Sequence, residues 1–134
     1  MTRVIENNGI GALYGTFEIN QTGENYDLSA EDVGCAVALA GNNKVNKGLD
    51  GARLLGRLEH ACGRLATVQI AGVVRLELNS GKGMPQVGDA VVIDGAGKVY
   101  QAPALISYDP AGGTLARGTI LAIDSTNHLC DILI

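Results

Sequence analysis

The sequence has no tryptophan and one phenylalanine, Phe17, and aromatic residues make up only 4% of it. A core built around large aromatic rings is excluded. Burial has to come from Val, Ile, Leu and Ala, which suits small, tightly layered β structure. Charged residues are scarce as well, 18% against 46% hydrophobic, a balance that argues against disorder. Lys and Arg number 10 against 14 Asp and Glu, and a net charge of −4 argues against a duplex-binding protein, which needs a Lys/Arg face. No apolar run approaches the roughly 20 residues that span a bilayer. The opening Met1-Thr-Arg-Val-Ile-Glu-Asn-Asn8 lacks the apolar stretch of a secretory leader. Cysteine is sparse and odd in number. Cys35, Cys62 and Cys130 point to reduced thiols in a protein made in the cytosol rather than to a disulfide frame.

What the chain has in plenty is glycine, 19 in 134 residues, which implies tight turns and short elements in one domain. It also has a repeat. Val33-Gly-Cys-Ala-Val-Ala-Leu-Ala-Gly-Asn-Asn-Lys-Val45 returns 54 positions later as Val87-Gly-Asp-Ala-Val-Val-Ile-Asp-Gly-Ala-Gly-Lys-Val99. Each copy reads as a strand, a tight turn and a return strand. Asn42-Asn43 and Gly95-Ala-Gly97 provide residues that tolerate the positive φ of hairpin tips. Further on, Gly56 aligns with Gly118, and Val68 and Ile70 align with Ile132 and Ile134. The offset grows to 62 and then 64, so the second copy has extra loop residues, placed between Pro103 and Gly113 with Asp109-Pro-Ala-Gly-Gly113 as the turn.

Strands are expected over residues 53–60 and 65–70. In the latter, Ala66, Val68 and Ile70 share one face, and Leu65, Thr67 and Gln69 the other. Between the copies, residues 73–78 alternate with Val74, Leu76 and Leu78 on one face, and residues 79–85 read as a flexible connector. Ser29-Ala-Glu-Asp32 matches a capping box and predicts one short turn there, not a long helix. The expected fold class is all-β: a small Gly-rich β-barrel or sandwich of two pseudo-symmetric four-strand units, residues 33–70 and 87–134. The two units pack into a closed or nearly closed barrel, which removes exposed edges. They lie in a single β domain, residues 31–134, preceded by an N-terminal extended arm or edge strand, residues 1–30, that belongs to neither copy. Ile10, Leu13, Tyr14, Phe17 and Ile19 of that stretch either cover the protein's own core or dock on a neighbouring subunit.

Chemical motifs are few. Gly95-Ala-Gly-Lys98 lacks the spacing and the following helix of a phosphate loop and reads as a hairpin. His60-Ala-Cys62 and His128-Leu-Cys130 together offer two imidazoles and two thiolates, a tetrahedral zinc set by type. The repeat does not align the two pairs, however, and no Cys-x₂-Cys knuckle is present. No nucleophile elbow occurs. Asp89 and Asp94 could form a carboxylate pair, but Asp89, following Gly88, reads as a turn acceptor at a strand start. No catalytic, cofactor or metal site is assigned.

The motif Val87-Gly-Asp-Ala-Val-Val-Ile-Asp-Gly-Ala-Gly-Lys-Val99, with Leu55-Gly-Arg-Leu-Glu-His60, Ala66-Thr-Val-Gln-Ile-Ala-Gly-Val-Val74 and Cys130-Asp-Ile-Leu-Ile134, resembles the capsid decoration (cement) proteins of tailed bacteriophages over roughly residues 33–134. Its Val-Gly-Asp element is also similar to the Gly-Asp box of cradle-loop barrels. The resemblance implies a non-enzymatic β protein, without cofactor, made in the host cytoplasm and bound to the capsid exterior. It implies the major capsid protein as partner and a homotrimer, with a dimer as the alternative, and no nucleic acid or membrane. Ile10, Leu13, Tyr14, Phe17 and Ile19 are then the expected capsid or subunit interface. The rival reading is a free-standing barrel that binds a small ligand or metal through its loops.

Overall fold

The computed structural model describes residues 6–103 and 115–134. Within them the chain forms twelve strands and two single 3-10 turns. The strands are β1 (Leu13–Ile19), β2 (Gln21–Thr22), β3 (Asn25–Tyr26), β4 (Ala36–Gly41), β5 (Lys44–Asn46), β6 (Gly56–Cys62), β7 (Leu65–Ala71), β8 (Val73–Glu77), β9 (Val91–Ile93), β10 (Val99–Gln101), β11 (Thr119–Asp124) and β12 (Leu129–Leu133). The all-β class read from the sequence holds. Residues 30–32 form the expected short turn, capped reciprocally by Ser29 and Asp32. The loop placed between Pro103 and Gly113 lies, from residue 104 onward, outside the described residues.

The repeat is visible strand by strand. β4–β5 and β9–β10 are antiparallel hairpins, as are β6–β7 and β11–β12. The alternating residues that point inward match in type and place. Val37, Val45, Leu58, Ala66 and Val68 bury in one cluster; Val91, Val99, Ile120, Cys130 and Ile132 bury in the other. Gly56 and Gly118 match for a steric reason. A Cβ on Gly56 would overlap the Gln69 carbonyl, and one on Gly118 would press on Ile132 and the Leu133 carbonyl. Each glycine lets the start of one strand cross closely over the end of its hairpin partner.

Closure differs from the expectation of one barrel made from both copies. The first copy closes by itself, in the order β1-β5-β4-β6-β7, because β1 pairs antiparallel with β7 and parallel with β5. Residues 13–19 are thus a barrel strand paired on both sides, neither an extended arm nor an edge strand, and they belong to the repeat. β8 holds the same place in the second copy: it pairs antiparallel with β12, and Leu78 bridges Val99 in parallel as Ile19 pairs Val45. The backbone bonds repeat too, Asn20 N to Val45 O (2.8 Å) and Asn79 N to Val99 O (2.9 Å). Phe17-Glu-Ile-Asn20 and Leu76-Glu-Leu-Asn79 are the matching sequences. Among the described residues the second ring is less fully paired. Single bridges, Leu78 to Val99 and Val91 to Arg117, join its sheets.

The two rings interlock. Ala36, Ala38 and Leu54 of the first copy pack into the second core. Gly51 N donates to Ile93 O (2.8 Å) and Ile93 N to Ala52 O (3.1 Å). The strand expected from residue 53 begins instead at Gly56, because residues 53–55 are used for this seam. There the Arg117 guanidinium donates to the carbonyls of Leu54 (3.0 Å), Leu55 and Ile70 (2.7 Å). Gln69, on the face of β7 that alternation gives to Leu65 and Thr67, is buried and holds the turn between the copies, donating to Ala71 O (3.0 Å) and Val73 O (3.2 Å).

Candidate functional site

The five residues singled out near the N-terminus fall into two groups. Ile19 is buried in the first barrel and Phe17 is half-buried against the same cluster. They are core, and their role is to close the barrel. Ile10, Leu13 and Tyr14 are 58%, 57% and 53% exposed. Successive strand residues normally point to opposite faces. Here the pairing of β1 with β7 shifts register between Leu13 and Tyr14, a bulge that leaves both side chains in solvent.

The segment leading into β1 is held against the other barrel. Gly9 N donates to Val73 O (2.8 Å) and Val73 N to Ile10 O (2.9 Å), while Glu6 pairs with Arg75 at 2.9 Å. Arg75 is itself held by a forked pair of bonds to Asp131, 2.8 and 3.2 Å, which raises its pKa. The exposed apolar group therefore straddles the junction of the two copies on backbone fixed to both. Leu133, 48% exposed on β12 opposite Val73, lies at the same junction. Sequence reading missed it because alternation alone does not say which face of a terminal strand is covered.

The far end of β1 is polar. Glu18 and Arg64 pair at 3.1 Å beside a shallow groove of about 100 Å³ that Lys44 and Tyr26 also line. Asp27 gathers Asn20 (2.8 Å), Thr22 (2.7 Å) and Asn46 (3.0 Å) below it. Those bonds, Asn20 first, hold the Asp27 carboxyl below its ordinary pKa.

The four zinc-type residues are not brought together. His60 and Cys62 are exposed on β6, His128 is exposed at a turn with φ of 54°, and Cys130 is buried in the second core. Burial pushes the Cys130 thiol up to about 12. Among the described residues no three His, Cys, Asp or Glu are grouped to hold a metal ion. Asp89 accepts from Gln86 N (2.8 Å), and Asp94 accepts from the backbone of Ala96 and Lys98 (2.8 and 3.0 Å). Both are turn acceptors, and Gly95-Ala-Gly-Lys98 is the tip of the β9–β10 hairpin. Among the described residues no helix is long and apolar enough to cross a membrane. Comparison with known proteins returns no match, either to a family model or to a curated sequence.

Proposed function

We propose that the protein decorates the head of a tailed bacteriophage. It binds the outer surface as a homotrimer, a dimer being the alternative, and stabilises contacts between major capsid subunits. The observation that supports this reading is the rigid apolar group of Ile10, Leu13 and Tyr14. Large apolar side chains held on paired backbone lose little entropy on docking, so a small patch contributes efficiently to attachment. Repetition over a capsid lattice multiplies a modest contact per copy. The net charge of −4 suits the exterior of a particle whose interior holds DNA.

Because β1 closes the first barrel, deletion of the N-terminus does not test the contact; substitution at its exposed positions does. The test is cosedimentation with expanded heads of the source phage that lack this protein. Wild-type chain is expected to saturate the heads, and the double variant Leu13→Glu, Tyr14→Glu, with its fold checked by circular dichroism, to bind at least tenfold more weakly. Equal occupancy by the two would remove this surface from the mechanism. Failure of wild-type chain to bind any head would overturn the capsid reading, and the free-standing ligand-binding module would replace it.

A further inference from the structure

The seam between the barrels opens on one side into a cleft of about 230 Å³. Its walls are apolar, with Ala38 and Leu39 from β4 and Ala52 and Leu55 from the loop before β6. Two arginines line it, Arg53 and Arg117. Every other arginine in the described residues is paired with a carboxylate, Arg57 with Glu59, Arg64 with Glu18, and Arg75 with Glu6 and Asp131. Among the described residues Arg53 and Arg117 are in no such pair.

Their hydrogen bonds go to carbonyls alone. A guanidinium has five N–H groups. Arg117 uses three, on Leu54, Leu55 and Ile70, which leaves Nε–H and one Nη2–H. Arg53 uses one, on Ala116 O at 3.2 Å. Carbonyl dipoles satisfy donors without neutralising charge. Partial burial and the nearby Arg53 cation both push the Arg117 pKa down, the sign of a cation short of compensation. A chain with more acidic than basic residues thus keeps two cations in the lining of one apolar cleft, with spare donors and no counter-charge among the described residues.

We propose that this cleft binds a carboxylate carried on a short aliphatic chain. The carboxylate bridges Arg53 and Arg117, and the chain lies against Leu39, Ala52 and Leu55. Fork geometry suits a planar carboxylate, and the apolar walls select an aliphatic acid over a strongly hydrated phosphate. The site is separate from the Ile10, Leu13 and Tyr14 surface and does not depend on the capsid reading. The group has two possible sources, a free aliphatic acid or an acidic side chain flanked by apolar residues on a docked protein chain.

The experiment is an amide NMR titration of the whole protein with four probes: sodium hexanoate, hexan-1-ol, and the blocked peptides acetyl-Leu-Glu-Leu-amide and acetyl-Leu-Gln-Leu-amide. The acids are expected to shift the amides of residues 38–39, 52–55 and 117 saturably and the neutral analogues to leave them in place. Added salt should weaken the effect. Arg53→Gln, which removes the more lightly bonded arginine, is expected to weaken binding at least tenfold while the remaining spectrum keeps its dispersion. Tighter binding of hexanoate assigns the site to a free acid; tighter binding of the Glu peptide assigns it to a protein side chain. The proposal is overturned if neither acid shifts these amides, if the neutral probes shift them equally, or if Arg53→Gln leaves the affinity unchanged.

Discussion

Arg117 stands where the first copy has Leu55, and the difference is specific to the seam. Both residues donate their backbone N–H across to the equivalent strand, Leu55 to Val37 O at 2.9 Å and Arg117 to Val91 O at 3.0 Å. Only the arginine reaches the other barrel. At this scale single atoms decide. Gly56→Ala would drive a Cβ into the Gln69 carbonyl, a backbone group that cannot step aside, and is expected to cost about 3 kcal/mol in urea unfolding. A cost near zero would mean that β6 and β7 do not cross as closely as described. Asp27 makes a second prediction. Its folded pKa lies below the ordinary 3.8, so at low pH the unfolded chain takes up the proton first. Its contribution is complete above that value and is lost as pH falls through the lower, folded one. Asp27→Asn should therefore bring the urea midpoints at pH 6 and at about pH 2 closer together than in wild type. An unchanged gap would show that the Asn20, Thr22 and Asn46 bonds do not favour the charged form.

Among the elements, β1 is the one whose role sequence alone left open. Hairpins were legible because each is local: turn residues, a matched offset and apolar alternation were enough for β4–β5, β9–β10 and β6–β7. The membership of β1 and β8 in the repeat was not. Phe17-Glu-Ile-Asn20 and Leu76-Glu-Leu-Asn79 share only Glu and Asn, at an offset of 59 that none of the other matched segments uses. The parallel pairing of Ile19 with Val45 has no signature in either strand, since it depends on where the chain returns after the short β2–β3 hairpin. The same non-locality hid the seam arginines, which sit in a stretch otherwise apolar. Deletion of residues 2–20 takes out the strand that pairs with both β5 and β7 and removes Phe17 and Ile19 from the core. The shortened chain is expected to lose its cooperative thermal transition by circular dichroism. A transition retained near the wild-type midpoint would show that the barrel closes without β1.

The whole molecule is one small ring made twice and locked to its twin. Neither ring is independent, because Ala36, Ala38 and Leu54 complete the second core and the lead-in to β1 runs along β8. Such a block has short elements, few aromatic side chains and many fixed turns, and it presents its exposed Ile10, Leu13 and Tyr14 at the point where both rings meet. That exposed group is the surface on which the proposed attachment rests. The most direct measurement is a cryo-electron microscopy reconstruction of heads saturated with the protein. The proposed function predicts density for both rings on the outer surface, with Ile10, Leu13 and Tyr14 against a capsid subunit or a sister copy. Heads that stay bare, or bound copies whose β1 end faces solvent, would contradict it.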